Sequence, residues 1–502
     1  MSKRARQSAI FRCDASPSIG AGHVSRCVAF AEALAAAGWL VRFVVGSETI
    51  ATVPALAECA FDVCVLAAGR ERDLGALAVH AGEVADLLVI DHYELDHVFE
   101  RSCRAWSHRI VVFDDATGRR HDCDVLVDAS ASDAAAYAGR VPADARLLLG
   151  PRYALMRRAF AERRPEALRR RDGRPVTEIL VSFGATDPLN AASVVLASLD
   201  RFGDEVTITV AMSSQAPHVE DIRRRLRGRG RLALDADMAE LMTRVGLAIG
   251  AAGTSAFERA VLGLPSIVVA LVENQRGIAR MLIDANAAAD AGSLDAEAPL
   301  RIASLLEALI QDPASRVRMA QAASNIVDGQ GSQRLLIAAV GEARAHDGSP
   351  VRMRLAESGD EAWLLELQRE PQTRRYFRNS RNPTEVEHAL WMRRTLGNPD
   401  ILLVVIDDGG ENVGTLRLDR LHNGVDAFEV SIAIHPQYHG RGIGSAALSL
   451  APRLRPAATL EAEILPENAA SLALFTRAGY EMIGVNRYRC QPQPLTEHRG
   501  VP

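Results

Sequence analysis

One repeated phrase constrains this chain more than any other feature. A short, β-branched apolar run is followed by a glycine-bearing or polar turn, and helical stretches lie between the runs. IFRCD (10–14), WLVRFVVG (39–46), DLLVID (86–91), RIVVFDD (109–115) and DVLVD (124–128) are such runs. They are nearly continuous in apolar residues rather than alternating, as expected for strands buried on both faces of a parallel sheet. Strands interleaved with helices predict a three-layer α/β domain, placed at 1–155. The phrase returns in EILVSFG (178–184), EVTITVA (205–211), VGLAIG (245–250) and PSIVVAL (265–271). Helices are predicted near 190–199, 236–244, 254–262 and 274–284, giving a second α/β domain over 156–344. The two domains share an architecture but no strong local sequence repeat.

Past AHDGSP (345–350), read as a polar linker, the grammar changes. Two helices are predicted near 359–369 and 383–396. Strands follow at 401–407, 411–419 and 427–434. A glycine turn opens a helix at 440, and a further strand (459–464), helix (468–478) and last strand (about 480–489) close a third domain over 350–495. A chain of 502 residues accommodates three domains.

Composition excludes several classes. With 48% hydrophobic and 24% charged residues the chain is not globally disordered. No charge-free apolar run reaches membrane-spanning length, and MSKRARQSAIFRCD lacks a signal-peptide core, so no membrane partner is expected. The net charge of -5 argues against a dedicated nucleic-acid binder. Residues 157–174 hold eight arginines, but Glu162, Glu166 and Asp172 interrupt them, as in a solvated helix. Seven cysteines without a CxxC pair fit free thiols in a reducing cytoplasm. Neither HExxH nor a cysteine framework is present, and no metal is expected. Oligomeric state is not legible.

Three turns carry candidate chemistry. SPSIGAGHVSR (16–26) joins the first strand to the first helix. Gly20 and Gly22 permit a tight turn, and the helix start offers free N–H groups to a phosphate. His23 at that end is either a general base or a helix-capping histidine. Arg26, one turn on, is either an anion clamp or a surface arginine. Asp91, His92, Tyr93, Asp114 and Asp115 close strands, where open α/β sheets place ligands. For Asp114 and Asp115, turn capping is the plain alternative. In SFGATDPLN (182–190), Asp187 is placed to cap the next helix. GAAGTSAFE (250–258) places Gly253, Thr254 and Ser255 in a backbone nest suited to a diphosphate. Glu258, a turn later, suits the ribose hydroxyls. Glu273, Asn274 and Gln275 form a further polar strand-to-helix loop.

In the third domain, HPQYHGRGIGSAAL (435–448) leaves N–H groups free at Gly440, Gly442, Ile443 and Gly444, with Arg441 as an added cation. ENAASLALFTRAGY (467–480) supplies the second half of the signal. Trp391 packs a sugar or fills the core. Glu429, on the strand before the turn, is a base or an ordinary strand-face carboxylate.

Residues 1–340 resemble the UDP-sugar hydrolases of pseudaminic acid biosynthesis, whose fold is similar to two-domain GT-B glycosyltransferases. The resemblance runs through RCDASPSIGAGHVSRC, LLVIDHYELD, VVFDDA, LLLGPRYALMRRAF, VSFGATDPLN, IGAAGTSAFERAVLGLPSIVV and ENQ. It implies two Rossmann-like domains, His23 as catalytic base toward the anomeric carbon, Tyr93 near the sugar, and UDP held by 250–258 and 273–275. A spore-coat polysaccharide branch shares this fold. Residues 350–495 resemble the GNAT acetyltransferase superfamily, which implies an α+β fold with acetyl-CoA as cosubstrate. Its pyrophosphate motif here begins at His439, where Gln or Arg is usual, and continues to Gly442 and Gly444. Asn468 belongs to the downstream motif. Phe475 stands where many members carry a proton-donating tyrosine. The two resemblances together imply 4-N-acetylation of a UDP-linked amino sugar followed by hydrolysis of UDP.

Overall fold

The computed structural model describes residues 7–16, 19–70, 72–81, 84–116, 118–199, 206–226, 228, 230–422 and 424–492. Pro17 and Ser18 of the first glycine turn, Glu205 of an expected strand and the last residues of the third domain lie outside the described residues.

Three sheets organise the chain. The first is ordered β3-β2-β1-β4-β5-β6-β7. Its strands are β1 (Ser8–Cys13), β2 (Leu40–Val45), β3 (Asp62–Val65), β4 (Ala85–Asp91), β5 (Ser107–Phe113), β6 (Val125–Asp128) and β7 (Arg146–Leu149). The second is ordered β10-β9-β8-β11-β12-β13. It comprises β8 (Glu178–Ser182), β9 (Thr207–Met212), β10 (Gly230–Leu234), β11 (Leu247–Ala251), β12 (Ser266–Ala270) and β13 (Ala289–Ser293), and its pairings are parallel. Both orders reverse direction once, between β1 and β4 and between β8 and β11. Such switch points leave a crevice beyond the carboxyl ends of the strands.

Burial on both faces explains the continuous apolar runs. In β8, Ile179 and Val181 join one cluster and Leu180 the other. In β12, Ile267 and Val269 face one way and Val268 the other. Helices cover each face, so alternation in sequence has no reason to appear.

The third sheet is mixed and ordered β14-β15-β16-β17-β18-β19-β21-β20. Its strands are β14 (Ala343–Arg344), β15 (Pro350–Leu355), β16 (Ile401–Asp408), β17 (Glu411–Arg420), β18 (Ala427–Ile434), β19 (Thr459–Glu463), β20 (Glu481–Gly484) and β21 (Arg487–Cys490). The stretch 345–350 is the turn between antiparallel β14 and β15 rather than a free linker. The last expected strand is a two-stranded hairpin, turned at Asn486 with φ of 59°. The parallel pair β18–β19 is linked through the helix Ile443–Leu454, and its pairing stops at Glu429–Glu461. Beyond that point the two strands part, and β19 no longer pairs with the backbone of 430–434.

The chain clusters into two compact units. One comprises Ala9–Ala33 and Val41–Ser332, with the first two sheets; the other contains Leu34–Leu40 and the chain from Gln333 on, with the third sheet. No helix among the described residues is long and apolar enough to cross a membrane.

Candidate functional site

The first crevice is built by loops leaving β1, β4 and β5. Gly20 takes φ of 76°, which any Cβ would strain, and turns the chain into the helix Gly22–Ala37. That places His23, 7% exposed, across the switch point from Asp91 at the end of β4. His23 Nδ1 lies 2.5 Å from Asp91 Oδ1. Asp91 is fully buried, and burial alone pushes its carboxyl up. Arg26 and His23 outweigh burial and hold it well below the usual carboxylate range. An ionised Asp91 fixes the proton of His23 on Nδ1 and leaves Nε2 as the acceptor.

Arg26 corrects the sequence reading. It is neither a surface residue nor an open anion clamp. Its Nε and Nη2 donate to Asp91 at 2.5 and 2.6 Å, and its Nη1 donates to Asp115 at 3.1 Å. The guanidinium therefore neutralises the carboxylate behind His23. Tyr93 lies with its ring edge-on to His23, centroids 4.7 Å apart. Its hydroxyl donates to Asp115 at 2.9 Å and accepts from Asn274 Nδ2 at 3.2 Å, which ties the first domain to the second within the unit. Burial and then Asp115 push the phenol up. Asp14 and His92 brace each other instead: Nε2 of His92 meets Asp14 at 3.0 Å, and Arg12 and the N–H of Gly46 donate to the same carboxylate.

The second wall is the loop after β11. Gly250 has no room for a Cβ, which would meet Ser182 O at 2.4 Å and Arg259 Nη1 at 2.8 Å. Gly253 precedes the helix Thr254–Val261, and no side chain caps that helix. Its first N–H groups are therefore available to an anion. A Cβ on Gly22 would stand 3.7 Å from Thr254 Oγ1, so the histidine turn and this loop face each other. Arg259 lies beneath the loop, 1% exposed, donating to Ala251 O and Ser255 Oγ. Burial pulls it down to about 10. Glu258 is half-buried, and burial pushes it up to about 7 against Arg157 and Arg259. Gln275 braces its own loop by accepting from Leu271 N at 3.0 Å. Glu273, expected beside UDP, turns to solvent and pairs with Arg276. Asp187 caps its helix as expected, accepting from Ala191 N and Ala192 N at 2.9 Å each.

The third-domain cavity, about 1080 Å³, is lined by His439, Gly440, Gly442, Ile443, Gly444, Asn468 and Phe475, and by Glu429 and Trp391. Gly440 and Gly442 take φ of 81° and 83°. Gly442 ends the turn ahead of a helix with no side-chain cap, again leaving N–H groups free. His439 Nε2 donates to Ile434 O at 2.9 Å and so fastens the turn to β18. Ile443 is buried and opens the helix at its uncapped end. Arg441 is a second correction. It does not line the cavity, because Asp347 and Asp408 hold its guanidinium at 2.9 and 2.7 Å. Asn468 Oδ1 caps the helix Ala469–Arg477 through Ser471 N. Phe475 is 3% exposed and packs edge-on to Tyr480 at 4.9 Å. Trp391 packs on the core beside His388 and also lines the cavity, with Arg417 over its ring. Glu429 is not free, since Arg378 donates to it at 2.6 Å.

Residues 351–481 match the family model for the acetyltransferase (GNAT) domain. The architecture is two Rossmann-like α/β domains followed by a GNAT α+β domain. The chain is similar to the spore coat polysaccharide biosynthesis protein SpsG of Bacillus subtilis, 30% identical over 190 residues, covering 37% of this chain and 55% of that protein. It thus spans about half the length of that relative. It is also similar to the UDP-2,4-diacetamido-2,4,6-trideoxy-beta-L-altropyranose hydrolase of Campylobacter jejuni. That identity is 27% over 278 residues, 54% of this chain and 95% of the other. Among solved structures, Acinetobacter baumannii MurG aligns with a TM-score of 0.47 and 15% identity, covering 66% of this chain and 98% of that one.

Sequence reasoning noted Asp91 and Asp115 only as strand-end carboxylates and missed what they hold. Their partners lie 65 and 89 residues away along the chain. Arg259 was missed outright, although its position one helical turn past Ser255 was a usable signal. Arg378 and Glu463 were missed because the former lies in an irregular segment and the latter at a strand end.

Proposed function

We propose that this chain cleaves a nucleoside diphosphate from a sugar at its anomeric carbon and acetylates the amine of a nucleotide-linked amino sugar from acetyl-CoA. The observation that carries the first half is His23 oriented by an ionised Asp91, facing a loop of uncapped helix N–H groups across the crevice. Water in that crevice gives its proton to Nε2 as its oxygen attacks the anomeric carbon. Asp91 stabilises the imidazolium, and Arg26 keeps Asp91 ionised. The carbon–oxygen bond to the diphosphate breaks, and the departing charge meets the 253–255 loop above buried Arg259. In the C-terminal domain, the glycine turn takes the CoA pyrophosphate. Glu429 accepts a proton from the acceptor amine. Phe475 has no proton to give, so the thiolate takes one released by the amine itself.

The finer reading is a consecutive pair in pseudaminic acid biosynthesis: 4-N-acetylation of UDP-4-amino-4,6-dideoxy-N-acetyl-β-L-altrosamine, then release of UDP and 2,4-diacetamido-2,4,6-trideoxy-L-altropyranose. The likeness to the Campylobacter hydrolase supports it. The likeness to the spore-coat protein equally favours a related amino-sugar precursor or a glycosyltransferase using the same crevice. Incubation with the UDP-linked amino sugar, acetyl-CoA and ¹⁸O-water decides. Mass spectrometry and proton NMR should find an N-acetylated free sugar carrying ¹⁸O at its anomeric carbon and unlabelled UDP. UDP released only when an acceptor alcohol is added, with the sugar joined to that alcohol, would make the enzyme a glycosyltransferase.

A further inference from the structure

One wall of the C-terminal cavity is the segment RRYFRNSR (374–381). Arg374, Arg375, Arg378 and Arg381 all line the cavity. Arg375 stacks over Tyr376 at 4.5 Å and has no carboxylate partner among the described residues. Arg381 is paired with Glu387. Arg378 reaches across the split between β18 and β19. Its Nη2 donates to Glu429 and to Glu463, both at 2.6 Å, and its Nε donates to Glu463 at 3.0 Å. The two carboxylates come from different strands where their pairing ends: Glu429 is the last residue of β18 paired with β19, and Glu463 lies two residues past the last residue of β19 in that pairing. The cation that closes the gap is the chain's own.

We propose that Arg378 holds the place of the acceptor's ammonium, and that the acceptor binds by exchanging ion pairs. The acceptor's phosphate groups take Arg378 together with Arg375, and its ammonium takes Glu429 and Glu463. This rests on the reading of the domain as an amine acetyltransferase and assigns its acceptor class: an amine that also carries phosphate, as in a nucleotide-linked amino sugar.

The charge balance favours this class. A free amine would displace Arg378 from two carboxylates and offer it nothing in return. A phosphate without an amine would strip both carboxylates of their cation. Only a ligand carrying both charges leaves every group paired. The exchange is easy because the Arg378 side chain is 66% exposed, and exposed ion pairs are weak. The cavity also lies at the upper end of ligand-pocket volumes, with room for the pantetheine arm and a bulky acceptor. Once seated, the ammonium gives one proton to Glu429. Its nitrogen bonds to the acetyl carbon, the carbon–sulfur bond breaks, and the second proton leaves nitrogen to make the CoA thiol. Glu429 returns its proton to solvent.

The test uses the full chain with two acceptors, a UDP-linked amino sugar and the same amino sugar free. The wild type should prefer the nucleotide-linked acceptor in kcat/KM. In Arg378→Gln that preference should shrink by roughly tenfold to a hundredfold, the value of lost charge-assisted contacts. The nucleotide-linked acceptor should become worse and the free amine better. Arg375→Gln should weaken only the nucleotide-linked acceptor. Equal losses on both acceptors in Arg378→Gln, or no change, overturn the proposal. If the wild type acetylates neither acceptor, the amine-acetyltransferase reading fails. The exchange is then judged by calorimetric titration of the UDP-linked amino sugar with CoA present. One site lost in Arg378→Gln supports it, and unchanged binding overturns it.

Discussion

His23 is useful because of what stands behind it. Asp91 holds Nδ1 and Arg26 holds Asp91, so the proposed base is oriented by two residues behind it. We expect His23→Asn to lower nucleotide-sugar hydrolysis roughly 10²- to 10⁴-fold while UDP binding changes little, checked by single-turnover rates beside calorimetry. Wild-type turnover at subsaturating substrate would remove His23 from the mechanism. Glu258 gives a pH test. Burial pushes its carboxyl up to about 7, so the free protein binds a proton there that an acceptor of ribose hydroxyls must lose. UDP affinity should therefore fall as pH drops below about 7, approaching about tenfold per unit. Glu258→Gln should abolish that slope, and a slope that persists in the variant would assign it elsewhere. Glycine, histidine and glutamate positions were legible here because each lies one turn from a strand end. The roles of Asp91, Asp115 and Arg259 were not, since a side chain's partner across a sheet leaves no local trace.

At the scale of elements, two connections have outcomes of their own. The turn of the β14–β15 hairpin carries His346, whose N–H donates to Arg441 O at 2.8 Å. A Cβ on Gly442 would lie 2.4 Å from that imidazole, so the glycine turn is seated on the hairpin. We expect a fragment 350–502, which lacks His346 and β14, to bind acetyl-CoA more weakly than 333–502 in titration calorimetry. Equal affinity would free the turn from the hairpin. The connection after β5 holds His121, buried between Glu100 at 2.7 Å and Asp114 at 3.5 Å. Burial opposes its charge, but Asp114 and Glu100 win and raise it to about 9. A raised folded-state value means the contribution to stability is full below the ordinary histidine range and lost as pH rises through about 9. Its size is on the order of 3 kcal/mol. In urea unfolding, the stability gap between wild type and His121→Gln should narrow from pH 6.5 to 9. A gap that stays constant would deny the imidazolium its role.

For the whole molecule, the two proposed activities rest on separate glycine turns, one set on parallel sheets and one on the mixed sheet. Full-length His23→Asn should keep acetyl transfer, and full-length Glu429→Gln should keep hydrolysis of an already acetylated nucleotide sugar. Paired steady-state assays check both, and a loss of both activities in either variant would mean that the sites communicate. Joining the two catalysts raises the local concentration of whatever passes from one to the other, without requiring a channel.

The sequence by itself determined the classes of domain, the central strands of the two parallel sheets and the positions of the three glycine turns. Continuous apolar runs, glycines at strand ends and uncapped helix starts are local consequences of burial and backbone geometry. The strands left unread are β3, β7, β10 and β13, each an edge of its parallel sheet, together with β14 and the interior strand β15 of the mixed sheet. β14, the shortest mixed-sheet edge, lies just before the stretch read as linker, and β20 is merged with its neighbour in the sequence reading. An edge strand has one paired side and less burial: ADAGS of β13 and the exposed residues of β20 carry no apolar run to detect. Tertiary structure alone decided the ion pairs. The sequence leaves Arg26 as an anion clamp or a surface arginine and Arg441 as an added cation for phosphate, yet the fold brings Asp91, Asp115, Asp347 and Asp408 to them. Arg378 went unread, although the fold places it on the carboxylate expected to act as base. Charge partners meet by the packing of distant elements, and no spacing along the chain encodes that.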